Sequence, residues 1–201
     1  MQSQPFIKFS YEIDIHASPE VIFPYLVDPE KITIWHSFEY LGQTSSKTTV
    51  EYKGTPNVGT EFTSHIKIDP IPGANTQAIK QSHNINGIIT QYNPPSLLEI
   101  KSSVGKKSSF KTVTYDLYTL TNIDGGTRLR LDSKMCLEYE GAENITNIML
   151  RLLQLLITRS VYISYLVIKK FFAIMFYFQL KGAMKIPFKK LKQNIDKIHS
   201  Y

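Results

Sequence analysis

Between residues 37 and 138 the chain repeats one device, a strand-length stretch followed by a few residues suited only to reversing direction. The stretches are 37–44, 59–69, 76–92, 96–104, 109–121 and 127–138. Between them lie Pro56-Asn57-Val58-Gly59, Pro70-Ile71-Pro72-Gly73, Asn93-Pro94-Pro95-Ser96 and Asp124-Gly125-Gly126. Proline fixes φ and glycine admits positive φ, so each joint is a turn. Consecutive strands joined by short turns predict an antiparallel meander, and such a sheet needs a cover on one face.

The flanking segments supply what the meander lacks. Residues 6–16 alternate apolar and polar side chains with the period of a half-buried strand. Ser18-Pro19-Glu20 then gives an N-cap, a proline at the first helical position and an acid in the first turn. Asp28-Pro29-Glu30 repeats that signal, so two short helices are expected in tandem, the second ending near Trp35. Residues 142–200 show no strand-like alternation and read as helix, with Gly182 and Pro187 as the places for a break or kink. At 1.5 Å per residue this region exceeds one sheet-crossing helix, so an extra piece near 145–158 and a long packing helix beyond it are expected. The whole of 1–201 reads as one domain, α+β in class, with an extended apolar and basic helical region over 142–201.

Charge is distributed unevenly. Residues 1–144 hold 13 Lys and Arg against 16 Asp and Glu, whereas residues 145–201 hold 10 against 1. The tail's basic residues are interleaved with Leu, Ile and Phe, a pattern that suits an anionic membrane surface or a half-buried helix better than nucleic acid. Arg159, Lys169, Lys170 and Lys181 are the expected membrane-facing residues. The uncharged runs 160–168 and 171–180 are each shorter than the roughly 20 residues a transmembrane helix requires. The single cysteine, Cys136, excludes an internal disulfide, and residues 1–25 lack an apolar signal core, so a cytoplasmic protein with a peripheral membrane contact is expected. Cys136 lies in a strand-like run with no motif around it and reads as a buried, inert thiol.

The joints themselves resemble those of the START-like, or SRPBCC, superfamily, and within it the polyketide cyclase/dehydrase and lipid-transport group. The matching pieces run in order: Ile15-His16-Ala17-Ser18-Pro19-Glu20-Val21-Ile22-Phe23, Leu26-Val27-Asp28-Pro29-Glu30 closing on Trp35, Val58-Gly59-Thr60-Glu61-Phe62, Tyr92-Asn93-Pro94-Pro95-Ser96-Leu97-Leu98-Glu99, Gly126-Thr127-Arg128-Leu129, and Leu191-Lys192. The resemblance implies a helix-grip fold, in which a curved antiparallel sheet of six or seven strands wraps a long C-terminal helix. It also implies that the cavity between them is a binding site.

Alternation supplies the expected lining. Phe62, Ser64, Ile66 and Ile68 share one strand face; Leu129, Leu131, Ser133 and Met135 share another; Phe172, Met175 and Phe176 come from the helical tail. Trp35, Tyr92 and Tyr115 are the expected polar and aromatic contacts, with Tyr118 excluded from Tyr115's face by parity. His65 shares its face with Glu61 and Lys67 and is expected in solvent. A hydrophobic ligand needs little polar chemistry, since burying about 12 methylenes at ~0.8 kcal/mol each contributes roughly 10 kcal/mol. No cofactor and no metal is expected, because no His/Cys cluster has ligand spacing and no Gly-rich phosphate loop or Gly-x-Ser-x-Gly elbow occurs. No catalytic pair is forced together by spacing. The expected function is noncatalytic binding or transport of a lipid-like or polycyclic molecule. A cyclase- or dehydratase-like enzyme using the same cavity and a protein-interaction module with a filled cavity are the alternatives. An open cavity of about 300–1,000 Å³ would separate the first two from the third.

Overall fold

The computed structural model of the protein describes residues 7–36, 39–40, 44–70, 81–104, 110–139 and 185–198. Eight strands form one antiparallel sheet: β1 Ile7–Ile15, β2 Glu39–Tyr40, β3 Thr44–Tyr52, β4 Glu61–Pro70, β5 Gln81–Asn93, β6 Leu97–Val104, β7 Phe110–Ile123 and β8 Gly126–Tyr139. Their order across the sheet is β1-β8-β7-β6-β5-β4-β3-β2. The meander therefore runs straight through, and β1 closes beside the last strand. The pairing of β5 with β6 shifts register between Ile89 and Gln91, a bulge of the kind that bends a sheet. The sheet holds eight strands against the expected six or seven, and β2 is only two residues long.

The strand missing from the sequence reading is β3. Its sequence is TSSKTTVEY, and its inward positions include Thr48 ahead of Val50 and Tyr52, so no apolar alternation marks its first half. Thr48 is nevertheless buried, because pairing with Ile66 of β4 brings it under the cover.

Three short helices separate β1 from β2: α1 Pro19–Ile22, α2 Pro24–Val27 and α3 Pro29–Trp35. Each opens on a proline, whose missing N–H costs nothing at a first-turn position. Pro24 makes the expected pair a triplet. Asp28 caps α3, accepting from the Glu30 amide at 2.9 Å and the Lys31 amide at 3.5 Å. The Trp35 indole N–H donates to the Tyr25 carbonyl at 2.7 Å, tying the end of α3 back to α2.

Residues 185–198 are helical (α4), with Pro187 inside the stretch and not at a break. Gly182 and the expected piece near 145–158 lie outside the described residues. Phe188, Leu191 and Ile195, at helical spacing, are fully buried, whereas Lys185, Lys189 and Lys197 are exposed. That stripe packs on the same face of the sheet as α1–α3, against Ile15, Leu129 and Leu131. Lys192 Nζ donates to the Asp14 carbonyl at 2.6 Å and fastens the helix to the end of β1. Nearby, β8 begins at Gly126, where a Cβ would collide with the Ile15 carbonyl; only glycine lets the strands approach there.

Candidate functional site

Strand register decides which side chains face the cover. From β1 to β8 the inward set includes Ile15 and Leu129, then Leu120, Tyr118 and Asp116 of β7, Leu98 and Ile100 of β6, Phe62 and Ser64 of β4, and Thr48, Val50 and Tyr52 of β3. Over β1 and β8 this face is filled by α4. Over β3, β4, β6 and β7 no described residue of α4 lines the space. There a cavity of about 70 Å³ remains, lined by Leu26, Ile32, Trp35, His36, Thr48, Val50, Tyr52, Phe62, Ser64, Ile100 and Tyr118.

Phe188 stands between the two halves. Its ring meets Tyr11 edge-on at 5.1 Å, Trp35 at 5.9 Å, and stacks on Tyr118 at 6.5 Å between centroids. Trp35 and Tyr118 thus belong both to the packed core and to the cavity wall. On the opposite wall the Phe62 ring lies directly over Gly87, where any Cβ would strike it. Tyr52 tilts against Phe62 at 5.7 Å.

The polar groups of this wall are held neutral. Burial keeps the His36 imidazole below its ordinary range, and its Nδ1 lies 3.2 Å from Thr48 Oγ1. The Tyr52 phenol is pushed up to about 12 by burial, with the nearby Tyr92 and Asp28 adding to the effect. Tyr118 is raised further by burial, then by Asp116 and Tyr52. At neutral pH the cavity therefore presents imidazole, phenol and hydroxyl groups able to donate and accept hydrogen bonds between apolar walls. The Trp35 indole contributes its face only, since its N–H is already engaged.

Of the residues expected from sequence to form the site, Trp35, Phe62 and Ser64 line this cavity. Ile66 lies on the same face one step beyond Ser64, half-buried and outside the lining. Tyr92 is spent on packing, edge-on against Phe23 at 5.6 Å. Leu129 and Leu131 have no exposed surface and are core beneath α4, not cavity lining. Ser133 is buried and donates to Asp116 Oδ1 at 2.5 Å. Tyr115 is a correction: its register partners are Lys101 and Lys134 on the outward face, and the Lys101 ammonium sits 5.3 Å above its ring. Tyr118 takes the inward position instead. Phe172, Met175, Phe176, Arg159, Lys169, Lys170 and Lys181 lie outside the described residues. His65 faces outward as expected, with Nδ1 3.0 Å from Asn84 Oδ1 and Nε2 3.7 Å from Glu51. Sequence reasoning left out Leu26 and Ile32 of the helical cover and four strand residues, Thr48, Val50, Tyr52 and Ile100. The place of these four in the site follows from the pairing of β3 with β4 and of β6 with β7, which no local pattern announces.

A larger hollow, about 470 Å³, is lined by the outward residues Lys53, Glu61, Thr63, Asn86, Ile88, Lys101 and Ser103 together with Phe62, Gly87 and Ser102. Its groups already engage one another, Lys53 with Glu61 at 2.6 Å and Thr63 with Asn86 at 3.2 Å. With its polar groups already paired among themselves, it offers a ligand few free hydrogen-bonding partners.

Among the described residues no group of His, Cys, Asp and Glu could hold a metal, and no helix is long and apolar enough to cross a membrane. No family model matches the chain, and no curated protein matches it. Solved structures do. A protein from Rhodobacter sphaeroides superposes with a TM-score of 0.57 at 12% identity, covering 98% of this chain and 96% of that one. One from Nitrosomonas europaea gives 0.56 at 11%, with 98% of each chain covered. A protein of unknown function from Staphylococcus aureus gives 0.55 at 14%, covering 97% and 96%. At these identities the likeness is one of fold: a curved antiparallel sheet with a C-terminal helix.

Proposed function

We propose that this is a helix-grip protein of the START-like type and that it binds an amphipathic or hydrophobic small molecule between the inward face of the sheet and its helical cover. One observation carries this reading: over β3, β4, β6 and β7 the inward face keeps a cavity walled by apolar rings and neutral polar groups, where the part of the same face under α4 is packed by Phe188, Leu191 and Ile195. A close-packed core leaves few voids larger than a water molecule, and here five polar residues surround one. The cavity, about 70 Å³, is below the 300–1,000 Å³ typical of ligand pockets. It suits the polar end of a ligand, with the apolar body lying along half-buried Ser64, Ile66, Ile85 and Ile100 on the same face. Partners of this class gain affinity chiefly from burial, at ~0.8 kcal/mol per methylene.

Native mass spectrometry of gently purified protein tests the proposal, with a discrete added mass as the expected result. Trp35, the single tryptophan, lies in the cavity wall at 3% exposure. Its emission should change saturably as apolar ligands are titrated in. If no member of a broad panel of fatty alcohols, amines, acids and polycyclic aromatics shifts either the emission or the melting temperature, the cavity is a packing defect and the interaction-module reading replaces this one.

The basic tail supports a peripheral contact with anionic membrane as the route by which such a ligand would be exchanged. Flotation with anionic but not neutral vesicles is the expected outcome, weakened by Lys169→Glu with Lys170→Glu, at ~1 kcal/mol per basic residue near the surface.

A further inference from the structure

Asp116 breaks a rule that the rest of the sheet obeys. Every other Asp, Glu, Lys and Arg of β1 and β3–β8 occupies the outward register. Asp116 is on the inward face, opposite Ser133 on β8 and Ile100 on β6. It is not itself one of the lining residues, but it stands beside the cavity, because Ile100, its cross-strand partner, and Tyr118, two residues along β7, both line that space. The side chain is half-buried. Among the described residues its one hydrogen bond comes from Ser133 Oγ, on Oδ1, and no cation pairs with it.

A carboxylate in such surroundings is costly to keep unless something answers its charge. Burial raises its pKa to about 6 in spite of the Ser133 bond, so at neutral pH it is still mostly ionised. Tyr118, Tyr52 and His36 are neutral, so among the described residues of the cavity wall none offsets it. The rest of the site accepts either polarity of hydrogen bond. Among the described residues Asp116 alone gives it a sign.

We infer that Asp116 is the head-group selector of the cavity: it accepts a hydrogen bond from a hydroxyl or protonated amine on the ligand and turns away ligands that end in a carboxylate. The inference rests on the proposed ligand-binding reading and narrows it to alcohols and amines with an apolar body. A carboxylate head would bring two anions together in a site with little water, whereas a donor head completes the carboxylate's hydrogen bonding.

The test compares octan-1-ol, octylamine and octanoate at pH 7.5, each titrated against the wild-type chain with Trp35 emission as the readout. The alcohol and the amine should bind at least tenfold more tightly than octanoate. In Asp116→Asn, which keeps the shape and an acceptor for Ser133, octanoate should come within about threefold of octanol. Octanoate binding as tightly as the other two to the wild type overturns the inference and leaves the cavity reading intact, as does a preference for donors that survives in Asp116→Asn. Binding of none of the three, with no copurified mass, removes the ligand-binding reading and this inference with it. The wild-type comparison stands by itself, so a poorly folded variant does not shield the inference from refutation.

Discussion

The inward face of this sheet has two halves built on different terms. Under α4, Phe188, Leu191, Ile195, Ile15, Leu129 and Leu131 leave at most 1% of their surface exposed. These are apolar and close-packed, and the polar residues of β8 on that face, Thr127 and Ser133, are buried with their hydroxyls bonded to the Ala17 carbonyl and to Asp116. Over β3, β4, β6 and β7 the same face carries Thr48, Tyr52, Ser64, Tyr118 and Asp116, and it keeps a cavity. A chain under selection for stability alone has no reason to treat two halves of one face so differently, since polar groups and voids both cost free energy. Under the proposed reading the packed half holds the fold and the open half takes the ligand.

Phe188, where the halves meet, is the place to test that division first. Phe188→Ala should destabilise the protein by about 3–5 kcal/mol, the usual cost of deleting a buried aromatic side chain, as read from denaturant midpoints. A loss below about 1 kcal/mol would mean that α4 is not the keystone of the packed half. A smaller effect, of opposite sign, is expected at Asp116. Its folded-state pKa of about 6 lies above the ordinary carboxyl value of 3.8, so the native state holds the proton more tightly than the unfolded chain. The stability this contributes is full at low pH and is lost as pH rises from about 4 through 6. Asp116→Asn should therefore be more stable than wild type at pH 7.5 by about 1–3 kcal/mol, since each tenfold difference in proton affinity between the folded and unfolded chain is worth ~1.4 kcal/mol. The two proteins should converge near pH 4. Urea melts at the two pH values measure this; a gap that does not close at low pH would remove the electrostatic account.

Two further substitutions locate the boundary of the open half. Gly87→Ala pushes a methyl group into the Phe62 ring, which must swing toward the cavity; a cost of about 1–2 kcal/mol and a loss of ligand response at Trp35 are expected. An unchanged response would show that Phe62 does not bound the ligand space. Ser64→Phe should change stability least, by less than about 1 kcal/mol, because the added ring has half-buried space to enter. It should still weaken octanol binding severalfold in the Trp35 titration. A stability loss of about 3 kcal/mol there, the upper range for overpacking, would show that this half is packed as tightly as the other.

The strands with clear alternation, β1, β4 and β6–β8, were legible in the sequence to within a few residues, and the helix starts were marked by Pro19 and Pro29. What escaped was β3, whose inward Thr48 carries no apolar signal, and the face of β7. Parity stated that Tyr115 and Tyr118 oppose each other, but only the pairing with Leu131 and Leu98 turns Tyr118 inward. Leu129 and Leu131 read as cavity lining for the same reason. Alternation tells which residues share a face, and nothing local tells where along that face a helix will lie.

Punctuation and the order of elements were thus written into the chain directly. Prolines set helix starts, glycines allowed close approach, and alternation set strands; these are steric properties of a few consecutive residues. Folding in three dimensions added the rest: Tyr52 meets Phe62, Ser133 donates to Asp116, Phe188 stops where the cavity begins, and His36 and Tyr118 stay neutral. Register, burial and desolvation are sums over residues far apart in the chain, so they come into being only when the sheet closes and the helix settles upon it.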